Sequence, residues 1–269
     1  SVLAKEIGIL AGEDTTVYCL PHVSSYIGAD VVAGAYVCDL QSCKKNVLFI
    51  DIGTNGEIVL SKAGKLFCCS CAAGPALEGM NISSGMRAGE GAVEDLLISE
   101  NGIDLKVIGD GTPEGLCGSG ILAAIKELLR IKVIKKTGVF IKKEALSDTD
   151  FRHPYLRMHG KKREFLLHAS PEIFVTQNDV RQVQLAKGAI FSGCLVLLKT
   201  AGIMLRELDE VLIAGQFGSH LPADSLIGTG ILPKEVREKL TYVGNSSKTG
   251  AYMALLSRTV RREMEELSL

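Results

Sequence analysis

An acidic residue, a glycine and a hydroxyl residue follow one another where a predicted strand ends. The stretch VLFIDIGTNGEIVL, residues 47–60, places Asp51, Gly53, Thr54 and Asn55 between two apolar runs. Asn-Gly between such runs is the strongest short signal for a β-hairpin. A carboxylate there can hold the waters of Mg²⁺, while the glycine lets backbone N–H groups approach a phosphate. The motif indicates a phosphate site, although an Asp that merely caps its own turn has the same pattern.

Two further predicted strands also end in glycine-containing turns. Residues 211–214 run into Gly215–Gly218, and residues 242–243 run into Gly244, Asn245 and Ser246. Ligands of α/β proteins bind at the carboxyl ends of strands, where a glycine allows a base or a phosphate to touch the backbone. Together with the Gly-rich stretch 72–93, these turns predict a nucleotide site. Asn245 and Ser246 are also suited to capping the last helix.

The elements that position these turns follow from hydrophobic periodicity. A strand meander is predicted at 47–51, 56–61 and 65–71, and helices are predicted at 21–37, 120–134 and 179–201.

Local signals mark where these elements begin and end. Thr176 and Asp179 have the spacing of a capping box before the longest helix, and Gly202 is placed to end it. Ser119 is the predicted N-cap of the helix at 120–134. A final helix is predicted to run to about residue 267. Residues 135–170 are basic and rich in His, and they predict an exposed insertion or hairpin.

Composition bounds the class of protein. The chain has 269 residues, of which 46% are hydrophobic, and its formal net charge is -1. This length suffices for a large core in one domain or in two close lobes. The charge gives no electrostatic case for nucleic acid or a membrane surface. No apolar run reaches membrane-spanning length, and the first residues do not resemble a signal peptide. We therefore expect a cytoplasmic α/β protein.

The chain contains eight cysteines, three of them in the run LFCCSCA. Cys68, Cys69 and Cys71 lack the paired C-x-x-C spacing of zinc sites. On a strand, Cys69 and Cys71 share one face and Cys68 points to the other. We expect small buried side chains rather than metal ligands, and we expect all eight cysteines to be reduced thiols.

The motifs, taken in order, resemble one superfamily. DIGTNGE and IAGQFG are similar to the second phosphate motif and the adenosine motif of the ASKHA superfamily, which comprises acetate and sugar kinases, heat-shock chaperone ATPases and actin. The full series resembles the reductive activators of corrinoid proteins: CLPHVSSYIGAD, FIDIGTNGEIVL, AAGPALEG, CGSGIL, QLAKGAI, IAGQFGSHL and GNSSKTGA. The resemblance implies an α/β, ribonuclease-H-like lobe whose mixed sheet is flanked by helices.

The resemblance also implies an activity. Reductive activators of corrinoid proteins are ATPases that return an oxidised Co(II) corrinoid to Co(I). Their partners include O-demethylase corrinoid components and the corrinoid iron–sulfur protein of acetogens. Electrons arrive from a donor through an iron–sulfur domain. A homodimer is implied by the resemblance as well.

Carried onto this sequence, the resemblance implies a set of ATP contacts. Asp51 would hold Mg²⁺ through water, and the residues after it would cradle the phosphates. Glu78 would accept from a ribose hydroxyl, or would be an ordinary loop carboxylate. Gln184 and Lys187 share a helix face that packs on the adenine in related ATPases, although a lone Lys is usually just solvated. The other candidates are Gly53, Thr54, Asn55, Gly74, Gly215, Gln216, Phe217, Gly218 and Asn245. No residue is expected to be a covalent catalyst.

The chain departs from the family pattern in two respects. It contains one Asp-x-Gly-Thr loop, where a complete ATP clamp has two, and it contains no ferredoxin-type cysteine array. We therefore expect residues 1–269 to be a carboxyl-terminal ASKHA region, mainly the second lobe. The first phosphate loop and the iron–sulfur domain are then expected upstream, and the isolated chain is not expected to turn over ATP on its own.

Two other functions stay open at this point. A small-molecule kinase is compatible with the ASKHA fold, which hosts many phosphoryl transfers, but the sequence offers no convincing general base. A nucleotide-gated binding module, which docks a partner without turnover, is also compatible with a single lobe.

Overall fold

A computed structural model of the chain describes residues 1–160, 162–215 and 218–269, without the side chains of Asp110 and Ser219. In chain order, the thirteen strands within this part are β1 Val2–Leu3, β2 Thr16–Val17, β3 Asn46–Ile52, β4 Gly56–Lys62, β5 Lys65–Cys71, β6 Ala92–Ser99, β7 Gly102–Val107, β8 Gly115–Leu116, β9 Leu156–His159, β10 Lys162–Ala169, β11 Glu172–Thr176, β12 Glu210–Ala214 and β13 Leu240–Gly244. The α-helices are α1 Ala29–Val37, α2 Gly118–Arg130, α3 Gln177–Ala201, α4 Ala223–Gly228, α5 Ser246–Leu256 and α6 Arg258–Leu267.

A five-stranded mixed sheet forms the centre of the fold, in the order β13-β12-β3-β4-β5. The strand pairs β3–β12 and β12–β13 are parallel, whereas β3–β4 and β4–β5 are antiparallel. The predicted meander at 47–71 is therefore confirmed. Because β3, β12 and β13 run in the same direction, their carboxyl ends meet at one edge of the sheet.

Helices cover both faces of this sheet. On one face, Ile50 and Ile58 are fully buried in the large core that contains the inward residues of α2 and α3. On the other face, Phe49 and Val59 pack with Val31 of α1. The near-continuous apolar sequence of β3 follows from burial on both faces. The α/β architecture with a mixed sheet between helices is as predicted.

The longest helix, α3, has the predicted capping residues and the predicted end, and it begins at Gln177, two residues before the predicted start at 179. Thr176 is its N-cap and forms a capping box with Asp179, and Gly202 ends it at φ 65°. It is the one helix in the described part that is long and apolar enough to cross a membrane. Its buried residues, which include Ile190, belong to the main core, so α3 packs here as a core helix.

Predicted boundaries of three helices are wrong, and α2 ends at Arg130 rather than at 134. The helix expected at 21–37 begins only at Ala29, because Gly28 is in extended conformation at its N-cap and the serines before it favour local turns. The N-cap of α2 is Cys117 rather than Ser119, which lies buried inside the helix. The final helix is broken at Ser257, whose hydroxyl caps α6 through the backbone N–H of Val260 at 3.3 Å.

The segment 135–170 contains a hairpin, as one of the two predicted alternatives, but it is not exposed as a whole. It supplies β9 and β10, which form a three-stranded sheet with β11 in the order β11-β10-β9. Phe140, Leu156 and Phe165 are almost fully buried and belong to the main core. The sequence prediction failed because these three positions are too far apart to form a periodic apolar pattern.

Candidate nucleotide site at the ends of three strands

The site is built where β3, β12 and β13 end side by side. Ala214 pairs with Asp51 on one side and with Gly244 on the other. The backbone N–H of Gly215 donates a 3.1 Å hydrogen bond to the carbonyl of Gly244. The structure thus brings the three predicted turns together at one sheet edge.

Asp51 lies at the centre of this edge and is half-buried. The hydroxyl of Ser247, on the first turn of α5, donates to its Oδ2 at 3.2 Å. Burial raises the pKa of Asp51 above its ordinary value, the hydrogen bond from Ser247 opposes the rise, and the charge of Asp30 adds to it. The carboxylate therefore carries a free-energy cost that a cation would relieve.

Two more carboxylates surround Asp51. Burial also raises the pKa of Glu57, and the charges of Asp30 and Asp51 add to that rise. None of these three acids forms an ion pair with a described Lys, Arg or His. Mg²⁺ prefers oxygen ligands and is held by one or two carboxylates, water and substrate phosphates. The donors around Asp51 therefore fit a Mg²⁺–phosphate group.

Gly215 leaves the space beside Asp51 open. Its φ is 92°, a left-handed conformation that favours glycine. A Cβ at this position would collide with Oδ1 of Asp51 and would lie 2.8 Å from the carbonyl oxygen of Ile52. The missing side chain keeps the Asp51 carboxylate accessible from the β12 side.

The hairpin between β3 and β4 contains the residues that the sequence predicts as a phosphate cradle. The backbone N–H of Gly53 donates to the carbonyl of Asn55 at 3.0 Å, which closes the turn, and Thr54 and Asn55 are exposed. The hydroxyl of Thr54 donates a short hydrogen bond to Oε1 of Glu78. This contact joins the hairpin to the Gly-rich loop.

The Gly-rich loop places Glu78 at the end of a short 3-10 helix, Pro75–Glu78. Gly74 before it and Gly79 after it both have positive φ, 76° and 79°. No described atom outside its chain neighbours lies within 4 Å of where a Cβ of Gly74 would stand, so that side of the loop is open. Glu78 is thereby held next to the β3–β4 turn.

Gln184 and Lys187 make their hydrogen bonds away from these loops. The Gln184 amide donates to the carbonyl of Thr137 at 3.2 Å, and the Lys187 ammonium donates to the carbonyl of Thr229 at 3.1 Å. Neither side chain has a hydrogen bond to Asp51 or Glu78 in the described part of the chain. Their predicted place against a nucleotide rests on the resemblance alone.

The remaining predicted residues divide into three groups. Asn245 caps α5, since its side chain accepts from the backbone N–H of Lys248 at 2.9 Å. Gly218 packs on β3 and β12, with a Cβ position 3.5 Å from Cβ of Ile52. Gln216 and Phe217 lie outside the described residues.

Sequence reasoning missed Ser247 and Asp30 as neighbours of Asp51. Both lie inside motifs that were recognised, GNSSKTGA and CLPHVSSYIGAD, but their approach to Asp51 depends on how α1 and α5 pack. The carbonyl of Asp30 also accepts from the Ser247 hydroxyl at 3.1 Å. The helix start after β13 therefore has a second contact with the site.

The cysteines are all free thiols. Cys69 and Cys71 lie on the α3 side of the sheet, and Cys68 lies on the α1 side, as predicted. Burial raises the pKa of Cys194 to about 12. Among the described residues, no group of three or more His, Cys, Asp or Glu side chains is placed to hold a metal ion by itself.

Comparison with known proteins assigns both parts of the chain. Residues 45–269 match the family described as the C-terminal domain of RACo, the ASKHA domain, and residues 1–43 match the RACo middle region. The sequence had predicted a single region over 1–269, whereas these matches change from one family to the other between residues 43 and 45.

Individual relatives have consistent names. The chain is 39% identical over 249 residues to a corrinoid activation enzyme, RamQ, of Eubacterium limosum, covering 90% of this chain and 42% of the relative. It is 26% identical over 270 residues to the [Co(II) methylated amine-specific corrinoid protein] reductase of Methanosarcina barkeri, covering 92% and 46%.

A solved structure shares the fold. The reductive activator for corrinoid, iron–sulfur protein superposes with a TM-score of 0.86 at 37% identity, over 99% of this chain and 43% of that one. The chain thus spans less than half the length of these relatives. From the match over residues 45–269, the chain belongs to the family of the RACo C-terminal ASKHA domain.

Proposed function

We propose that the chain supplies one wall of a Mg²⁺–ATP site in a reductive activator of corrinoid proteins. On this proposal the complete protein couples ATP hydrolysis to the reduction of a Co(II) corrinoid to Co(I). The observation that carries the proposal is the meeting of Asp51, Gly215 and the Thr54–Glu78 contact at the ends of three neighbouring strands. The names of the relatives support the corrinoid part.

Each part of the edge has a role in the proposal. Asp51 orients the Mg²⁺ waters, and the backbone of the β3–β4 turn faces the phosphates. The Thr54 hydroxyl, whose single proton goes to Glu78 before ATP binds, would exchange that partner for a phosphate oxygen. Glu78 accepts from a ribose hydroxyl. Gly215 and the residues after it give the adenosine access to the backbone. The proposed contacts also include Gly53, Asn55, Gly74, Gln184, Lys187, Gln216, Phe217, Gly218 and Asn245.

When bound, Mg²⁺ would neutralise phosphate charge. The chain's own contribution is positional, since Ser247 holds the Asp51 carboxylate and Glu78 holds the Thr54 hydroxyl. No residue acts as a nucleophile in the proposal. Closure of two lobes on ATP would alter the surface that contacts the corrinoid protein.

The redox part of the proposal has a definite energetic requirement. A protein shifts a potential by binding the two oxidation states unequally, and for one electron each tenfold difference in affinity gives about 59 mV. A shift of roughly 120 mV needs about 100-fold differential binding, or about 2.7 kcal/mol. ATP hydrolysis then resets the complex. The iron–sulfur cluster, the electron donor, a homodimeric state and a cytoplasmic location belong to the proposal by resemblance.

Anaerobic reduction assays on the full-length protein test this function. With a corrinoid protein and a low-potential donor, ATP should support repeated formation of Co(I), seen by optical spectroscopy, and should release only inorganic phosphate. A non-hydrolysable ATP analogue should support at most one turnover. Equal rates with ATP and the analogue would remove the resetting role. Transfer of labelled phosphate to a small acceptor would instead indicate a kinase.

A further inference from the structure

A wide cleft on another part of the surface collects positive charge. It lies between the end of α2, the segment after it, α3 and α4, and it has a volume of about 1230 Å³. Its lining contains none of the proposed site residues except Lys187. Seven of the lining side chains are cationic and two are anionic. A local excess of five positive charges is notable in a chain whose formal net charge is -1.

The two anionic side chains are already neutralised. Glu127 is buried, and its Oε2 accepts from Nε of Arg130 at 3.0 Å and from Nη2 of the same guanidinium. Asp224 pairs with Arg237. The excess charge therefore resides on the lysines of the cleft, not on these arginines.

Three of the cleft lysines are free to bind a partner. Lys132, Lys135 and Lys136 are exposed and form no ion pair within the described residues. Lys126 is 3.9 Å from Asp95 and 4.0 Å from Glu127, at the outer limit of an ion pair. Three uncompensated ammonium groups on one short segment give a positive potential that can attract and orient an anion.

The shape and chemistry of the cleft select the class of anion. Its volume exceeds the range of about 300–1,000 Å³ typical of small-molecule pockets, and it is open to solvent. The described lining residues include no aromatic side chain on which a nucleic-acid base could stack. Its floor is apolar where Leu129, Ile134 and Ile227 line it. An acidic protein segment, with carboxylates at the rim and an apolar residue on the floor, fits these features.

We propose that this cleft, defined by Lys126, Lys132, Lys135 and Lys136 around the apolar floor, is a docking surface for a carboxylate-rich segment of a partner protein. It is a separate surface from the strand-end edge that carries Asp51. Docking would depend on ionic strength, because exposed charges are screened over about 10 Å at 0.1 M salt.

A charge-reversal experiment tests the surface. A fluorescent peptide of ten residues, mostly glutamate with one central leucine, would be titrated into the full chain and followed by anisotropy. The variant Lys132→Glu/Lys135→Glu/Lys136→Glu should weaken binding at least tenfold. The matched control Lys44→Glu/Lys45→Glu/Lys65→Glu alters three exposed lysines elsewhere and should weaken it less than threefold. Circular dichroism would confirm that both variants are folded.

The outcomes are decisive in both directions. The proposal is supported if only the Lys132→Glu/Lys135→Glu/Lys136→Glu variant loses peptide affinity and if binding to the unmodified chain weakens at higher salt. Equal loss of peptide affinity in both triple variants would mean that the peptide responds to overall charge, which would overturn the proposal. Absence of peptide binding to the unmodified chain would also overturn it. If tripolyphosphate displaces the peptide completely and binds with the same affinity as the peptide, the cleft is a site for small anions and the proposal is overturned. Mg²⁺–ATP affinity measured on the same variants should be unchanged, so failure here is distinguishable from failure of the nucleotide site.

Discussion

The hydroxyl of Ser247 donates a 3.2 Å hydrogen bond to the carboxylate of Asp51, which lies 196 residues earlier in the chain. This contact joins the start of α5 to the end of β3. Because the Ser247 hydroxyl also lies 3.1 Å from the carbonyl of Asp30, it links α1 to the same edge. One side chain thus couples three elements at the proposed Mg²⁺ position.

Replacing Asp51 should increase the free energy of unfolding while it weakens Mg²⁺–ATP binding. The pKa of Asp51 is higher in the folded chain than its ordinary value of 3.8. The neutral carboxyl therefore contributes stability below about pH 3.8, and this stability is lost as the pH rises through the folded pKa. At neutral pH, Asp51→Asn should therefore raise the free energy of unfolding by about 0.5–1 kcal/mol without nucleotide. Urea unfolding would measure this gain.

The same variant should lose at least about tenfold in Mg²⁺–ATP affinity, equivalent to about 1.4 kcal/mol. Asp104→Asn, on the exposed side of β7, removes the same charge and should change neither quantity. Unaltered Mg²⁺–ATP binding by Asp51→Asn would exclude Asp51 as the Mg²⁺ contact.

Gly215→Ala should be costly for two separable reasons. The left-handed φ costs about 1 kcal/mol for a non-glycine residue, and the collision with Asp51 and Ile52 adds to it. We expect a total loss of about 2–4 kcal/mol in the free energy of unfolding. Gly202→Ala has a similar φ, 65°, but no described neighbour within 4 Å, so it isolates the conformational part. Equal losses in the two variants would show that no collision occurs.

Glu78 should distinguish ATP from its deoxy analogues. If its carboxylate accepts from a ribose hydroxyl, Glu78→Ala should weaken ATP binding about 10- to 150-fold, the loss typical of one hydrogen bond to a charged group. The same variant should weaken binding of the ATP analogue that lacks this hydroxyl much less. Calorimetric titrations with ATP, 2′-deoxyATP and 3′-deoxyATP would measure this. Identical losses for all three would assign Glu78 only to its contact with Thr54.

Asp179 should be among the most important residues for stability. It is fully buried, and its carboxylate accepts from the backbone and hydroxyl of both Ser83 and Thr176 at 2.8–3.0 Å. Asp179→Ala would leave these donors unsatisfied, so we expect a loss of about 3 kcal/mol or more. The exposed Asp104→Ala should cost less than about 0.5 kcal/mol. A small loss for Asp179→Ala in urea unfolding would contradict the assignment.

Local sequence signals identified the elements but not their contacts. The β3–β4–β5 meander and the capping box of α3 were predictable because turn chemistry and periodicity act over a few residues. The positions of Asp51 and Gly215 at the ends of strands were predictable for the same reason. The approach of Ser247 and Asp30 to Asp51 was not, because it depends on tertiary packing of α1 and α5.

The errors have a similar origin. Serines and Gly28 stop α1 from starting at residue 21, although the apolar spacing there is helical. Phe140, Leu156 and Phe165 are too far apart for a periodic pattern, so their burial in the main core could not be read from the segment 135–170. The helix that carries Gln184 and Lys187 was predictable, whereas their hydrogen bonds to Thr137 and Thr229 depend on tertiary packing.

Hydrogen exchange with and without saturating Mg²⁺–ATP tests the location of the nucleotide most directly. The central claim is that the nucleotide binds where β3, β12 and β13 end. Protection should therefore appear in peptides covering 51–56, 74–79, 213–218 and 244–248, and not in peptides covering 130–141. Protection confined to the cleft around 130–141, or none at saturating Mg²⁺–ATP, would contradict the claim.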